Sequence, residues 1–350
     1  CMMFTLSAPA LAASTDALLQ QSTAAKSAVS VLDEENGTEV ETEYQMNLKY
    51  GSITVYIGDD GKQYAKQGEN DPQKRGNLQI TTDGGRTDNT LTIEGGTTGA
   101  KVTLSNVNIE TTSNAAVSVS GNVELIIAGT NTLQSGTDHA GVEKADDNGT
   151  LTISGSGTLN AYGGESGAGI GSGSQKGCSN IVIESGTINA YGGSTGEGWG
   201  AGIGGGNNGD ASNITINGGI ILAVGGSEAA GIGGGIAADA SGITITGGEV
   251  TAIGGGGAAA IGGGRAITSG GGKGENIQIT GGNVTVKSGT GVWIGGTNGE
   301  ISKDSLTGAV TYVNQNGNVE NTANWDIMVN ETAVNGVNYK DILSLSLIHI

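Results

Sequence analysis

An internal repeat constrains this chain more than any other feature. Five stretches can be laid over one another. Their first apolar pieces are Leu151-Thr152-Ile153, Ile181-Val182-Ile183, Ile214-Thr215-Ile216, Ile243-Thr244-Ile245 and Ile277-Gln278-Ile279. Their last pieces centre on Ile170, Ile203, Ile232, Ile261 and Ile294, separated by 33, 29, 29 and 33 residues. A period near 30 residues is the mark of a stacked repeat architecture, in which one unit cannot bury its own core. Within a unit the apolar residues alternate with polar ones, as in Leu159-Asn160-Ala161-Tyr162 and Ile188-Asn189-Ala190-Tyr191. Period two means a strand with one face in and one face out.

Each unit holds three such pieces, separated by Gly-Gly or Ser-Gly turns, and closes on a variable loop such as Asn207-Asn208-Gly209-Asp210. Three short strands joined by tight glycine corners make a triangular coil. Stacked coils pair each strand with its equivalent at about 4.8 Å. The expectation is an all-β, right-handed parallel β-helix with three inward ladders. The first is Ile153, Ile183, Ile216, Ile245 and Ile279. The second is Leu159, Ile188, Ile221, Val250 and Val284, backed by Ala161, Ala190, Ala223, Ala252 and Val286. The third is Ile170, Ile203, Ile232, Ile261 and Ile294. A propeller blade needs four strands in 40–45 residues, which these units do not supply. The 68 glycines stand beside only two prolines and show no strict Gly-X-Y period, which rules against collagen. The regular Ile and Val between them argue against disorder.

Upstream the pattern continues less evenly through Val102-Thr103-Leu104, Val107-Asn108-Ile109, Val117-Ser118-Val119, Val123-Glu124-Leu125 and Thr132-Leu133. Ile53 to Ile57 and Leu78 to Ile80 are expected to build the first end, which must be capped against edge pairing. The chain divides into a signal-peptide remnant (1–13), a leader (14–42), the β-helix (43–300) and a C-terminal coil or cap (301–344). Residues 345–350 read as a translated adaptor scar. The remnant rests on an apolar run ending in Ala10-Leu11-Ala12, a small-x-small cleavage pattern, and implies export.

Charge and rare residues narrow the function classes. The 34 acidic and 15 basic residues leave a net charge of −19, which repels nucleic acid and anionic membrane surfaces. Nothing past the remnant is long and apolar enough to span a bilayer. Setting aside Cys1 and His349 at the ends, Cys178 and His139 stand alone of their kinds, which argues against a disulfide framework, a Cys/His metal site or a Cys–His nucleophile.

The series Asn89-Thr90-Leu91-Thr92-Ile93, Val102 to Ile109, Gly129-Thr130-Asn131-Thr132-Leu133 and Gly149 to Leu159, followed by repeated Gly-Ala-Gly-Ile-Gly-Gly-Gly-like runs, resembles a known family. These are secreted, clostridial-type (Firmicutes) surface proteins containing carbohydrate-binding domains. The likeness covers roughly residues 45–300. It implies a parallel β-helix similar in fold to pectate lyases, binding of plant-type polysaccharides, and in some members calcium held by Asp-rich turns. This chain departs from that pattern. Only Asp138-His139-Ala140-Gly141-Val142 and Asp146-Asp147-Asn148-Gly149 approach such turns.

Four aromatics are candidates for carbohydrate contact. Tyr162 and Tyr191 occupy one position in adjacent coils, so their rings should stack, either as a sugar platform or as a shield for the corner. Trp199 lies in a glycine insertion, where it meets a ligand or packs on the next coil. Trp293 takes the place of Gly169, Gly202, Gly231 and Ala260, positions expected to face outward on a smooth face, unless the C-terminal segment covers it. Asp138, Asp146 and Asp147 are candidate calcium ligands, with solvated turn acids as the alternative. A lyase needs a base beside metal-held acids and a glycosidase needs two facing carboxylates. Arg265 has no acid near it in sequence, and Glu184, Glu197, Glu228 and Glu249 are scattered. Ranked threonines for ice binding are interrupted at Val182 and Gln278. The expectation is a non-enzymatic, extracellular, monomeric protein of a bacterial cell surface that binds a polysaccharide or cell-wall glycan. A structural stalk or adhesin shaft is the alternative, and a polysaccharide lyase or hydrolase the second alternative.

Overall fold

The computed structural model describes residues 43–144, 148–193, 198–265, 271–288, 293–296, 306–314 and 319–322. The expected signal remnant, leader and adaptor scar, together with Asp146, Asp147 and Glu197, lie outside the described residues.

The chain is a parallel β-helix of three sheets. In each coil it passes from a first sheet to a second and then a third, then begins the next coil. Among the described residues the first sheet has 10 strands, the second 10 and the third 11. Strands of the first sheet include Leu151–Gly155, Cys178–Ile183, Ala211–Ile216 and Ala240–Ile245. Those of the second include Thr158–Tyr162, Thr187–Tyr191, Ile220–Val224 and Glu249–Ile253. In the same coils the third sheet has two-residue strands, Ile203–Gly204, Ile232–Gly233 and Ile261–Gly262. In these regular coils the strands of the first two sheets are therefore longer than those of the third.

All three inward ladders form in the expected register. Ile153, Ile183, Ile216, Ile245 and Ile279 pair in succession. So do Leu159, Ile188, Ile221, Val250 and Val284, and Ile170, Ile203, Ile232, Ile261 and Ile294. Nearly every one of these side chains is fully buried in one continuous core. Burying an aliphatic side chain of this size contributes about 1.5–3 kcal/mol, so the ladders dominate the favourable side of folding. Backbone polar groups are satisfied between coils: Ile203 N–H donates to Gly231 O at 3.0 Å and Ile232 N–H to Ala260 O at 2.9 Å.

Two columns show how the corners select their residues. In the first sheet, Asn180, Asn213, Gly242 and Asn276 interrupt the ladder at one level with φ of 58°, 53°, 65° and 53°. Asn and Gly are the residues that tolerate this left-handed conformation. In the third sheet, Gly171, Gly204, Gly233 and Gly262 follow the inward Ile, at φ between 136° and 142°. A Cβ at each would lie within 2.0 Å of the next glycine's carbonyl oxygen, so this column admits nothing larger.

The solenoid ends are closed by antiparallel strands. Ile53–Ile57 pairs with Gln63–Gln67, which pairs with Gln73–Lys74. At the other end the second sheet runs past residue 300. Ala309–Val313 adds in parallel to Asn283–Lys287, and Val319–Thr322 then pairs antiparallel with it. This stretch was expected to form a C-terminal coil or cap, and the period-two pattern of Ala309 to Val313 continues the ladder of Val284 and Val286. No helix among the described residues is long and apolar enough to cross a membrane.

Candidate functional site

The alternation that sends Leu159 and Ala161 into the core sends Asn160 and Tyr162 to the outer face of the second sheet. The next coil repeats this with Asn189 and Tyr191. Asn189 Nδ2 donates to Asn160 Oδ1 at 2.8 Å, which holds the two strands' outer faces in line. The tyrosine rings stack with centroids 5.0 Å apart and planes 6° from parallel. That distance is close to the inter-strand spacing, so the stack follows from the ladder. Each ring thus turns one face toward the other tyrosine. The other face of Tyr191 turns toward its register partner in the next coil, Val224. Burial, and then the neighbouring Tyr162, push the Tyr191 hydroxyl above its ordinary pKa.

Beside the stack runs a groove of about 290 Å³, lined by Tyr162, Tyr191, Val224, Ser227 and the glycine corners Gly192–Gly193, Gly225–Gly226 and Gly255. Among the described residues no charged side chain lines it. The glycines keep it open for a packing reason. A Cβ at Gly255 would lie 1.7 Å from Gly226 O, and one at Gly226 would lie 2.2 Å from Gly198 O. The lining residues come from four successive coils, so the groove runs along the solenoid axis.

The two tryptophans take other places. Trp199 is half-buried in the preceding corner, where its N–H donates to Glu165 O and its carbonyl accepts from Ile236 N–H. It does not line the groove. Trp293 packs edge-on against Tyr312, with centroids 5.9 Å apart, and its Nε1 donates to Val313 O at 3.0 Å. The C-terminal strand therefore covers it. The expectation that its column faces outward is corrected as well. Ala260 is fully buried, and a Cβ at Gly169 would lie 2.5 Å from Tyr191 N and 2.7 Å from Gly202 O. These residues are small because the neighbouring strand fills the space.

A polar cluster was not legible as such in the sequence. Glu143 stands where the next coil has Gly171. Its side chain is only 5% exposed. Oε2 accepts from the Ala140 N–H at 3.2 Å and lies 2.8 Å from His139 Nδ1, while Oε1 lies 3.5 Å from Lys176 Nζ. The available signal was the replacement of Gly by Glu in Ala140-Gly141-Val142-Glu143, against Ala168-Gly169-Ile170-Gly171. Lys144 is stranger still. It occupies the inward column of Ile93 and Val119, is 1% exposed, and its Nζ donates to Asn148 O at 3.0 Å.

This bears on the candidate calcium turn. The chain itself brings a cationic group to the Asn148 carbonyl. Asp138 is exposed, and its carbonyl accepts from Ser174 N–H at 2.8 Å. No cluster of three or more His, Cys, Asp or Glu suited to a metal occurs among the described residues, which do not include Asp146 and Asp147. Arg265, which has no acid near it in sequence, finds one in the fold. Its Nη1 lies 3.2 Å from both carboxylate oxygens of Glu228, because coil stacking brings together residues 37 apart. Glu184 accepts from Asn217 Nδ2 at 3.0 Å. These acids are engaged in tying coils together.

Four stretches, residues 151–174, 181–207, 214–236 and 243–265, match the family model described as beta helix repeat. They coincide with the most regular coils and agree with the parallel β-helix architecture. No curated protein and no solved structure matches the chain.

Proposed function

We propose that this protein binds a polysaccharide in the tyrosine groove without cleaving it, acting as a monomer on the outside of a bacterial cell. The observation that carries this reading is the groove itself: an open apolar trough beside two stacked tyrosines, crossing four coils. The stacked faces of the rings are turned to each other and to Val224, so a sugar in the trough meets the tyrosine edges and hydroxyls beside apolar Val224. A long trough suits a linear polymer whose units each add little affinity. The leader pattern, the acidic balance and the resemblance to secreted clostridial-type carbohydrate-binding proteins agree with an extracellular role. Hydrolysis of a glycosidic bond needs two carboxyl groups flanking the sugar, and none of the described lining residues supplies one. The carboxylate of Glu143 is buried under His139, Ala140 and Lys176 and serves the packing of its corner.

The test is retention on insoluble polysaccharides, comparing wild type with a Tyr162→Ala, Tyr191→Ala double variant. Both rings are outward, so the core ladders remain intact. Retention of wild type and loss in the variant is the expected result. A wild type that is retained by no polysaccharide, or equal retention of both proteins, refutes the reading. It would favour the shaft alternative, for which the uninterrupted ladders of three sheets are the supporting feature.

A further inference from the structure

The outer column that carries the tyrosines can be followed through eight strands of the second sheet. In register it reads Glu110, Gln134, Tyr162, Tyr191, Val224, Ile253, Lys287 and Val313. The four members from Tyr162 to Ile253 are consecutive and apolar, and all are half-buried. Polar Gln134 bounds the run below and Lys287 bounds it above. The groove follows the same line, from Tyr162 in one coil to Gly255 in the fourth. Three inter-strand steps separate the ends of the run, which is about 14 Å.

Resting on the glycan-binding reading, we infer that the groove takes an extended, β-linked, uncharged glycan lying along the solenoid axis, with about four sugar units in contact. Three arguments converge on this. A β-linked chain of equatorial pyranoses is straight and advances by close to one strand spacing per unit, so successive sugars meet successive coils. A helical α-linked chain would leave the column after one or two contacts. Such straight chains also present apolar C–H faces, which match Tyr191 and Val224 in the groove and Ile253 next in the same outer column. No charge on the described lining residues offers a uronate a counter-ion. A net charge of −19 further repels polyanions.

The test uses cello-, xylo- and galacturono-oligosaccharides of two to six units, titrated calorimetrically into wild type, Tyr191→Ala and Ile253→Thr. Thr keeps the β-branch and Ile253 faces outward, so Ile253→Thr preserves the fold, which circular dichroism checks. For a neutral β-linked series, affinity should rise about tenfold from two units to four and then level off. Ile253→Thr should remove the gain of the fourth unit and leave two-unit binding unchanged. Tyr191→Ala should weaken every length, and galacturono-oligosaccharides should bind at least tenfold more weakly. Tyr191-dependent binding that does not grow beyond two units, or that prefers the acidic series, overturns this inference while the glycan-binding reading stands. If no series binds wild type, both are overturned.

Discussion

Replacing Glu143 separates two things its carboxylate does. In Glu143→Ala the Ala140 N–H, on a fully buried residue, loses its acceptor. A buried donor left unsatisfied costs about 1–3 kcal/mol. The contacts to His139 and Lys176 count for less, because those side chains are 33% and 57% exposed and solvent screens them. Together they are worth about 1 kcal/mol or less. With the lost methylene packing, Glu143→Ala should cost about 3 kcal/mol. Glu143→Gln keeps the shape and a carbonyl oxygen for the Ala140 N–H, and should cost about 1 kcal/mol. The assay is urea denaturation, with hydrogen exchange at the Ala140 amide as a local readout, since stacked repeats can open in parts. Equal costs for the two variants, or an Ala140 amide that stays fully protected in Glu143→Ala, would refute the argument that the backbone donor dominates.

Ile232→Ala, at a fully buried rung between Ile203 and Ile261, should cost about 2–5 kcal/mol in the same assay, whereas Ile220→Thr, at a residue 55% exposed, should stay within about 0.5 kcal/mol. Gly255→Ala should destabilise by at least about 1–3 kcal/mol and abolish glycan retention, because its Cβ overlaps the Gly226 carbonyl and the corner must shift. The difference in alkaline absorbance between wild type and Tyr191→Phe should titrate above the ordinary value of 10.0 in the folded protein and near it in urea. Because the folded value is raised, the associated stability is complete below the ordinary value and is lost as pH rises through the raised one. Tyr162→Phe should lower the midpoint only partly, since burial is the larger cause.

The ladders were readable in the sequence because one aliphatic type recurs at one level, as at Ile203, Ile232 and Ile261, and a stacked core leaves no other place for it. The tyrosine stack followed from the same register. The groove was not readable, since it depends on which backbone meets Gly226 and Gly255 across coils. Arg265 and Glu228 are 37 residues apart, so their pairing needs the loop geometry. The column of Trp293 looked outward-facing because it was judged by the size of its residues and not by what fills the space beside them. Glu143 and Lys144 broke the pattern visibly, but a broken pattern does not say which partners repair it.

A repetitive core has a weakness: its rungs are interchangeable, and a nascent chain can thread one repeat out of step with little loss of apolar burial. The glycine column guards against this error. A slip of one coil would seat Glu143 where Gly171 belongs, in a place where any Cβ lies 1.9 Å from the Gly204 carbonyl. The acid can occupy only the level at which the column begins. It therefore indexes the winding of the repeats, and a variant with glycine there should populate misthreaded species on refolding even if its native coils pack normally.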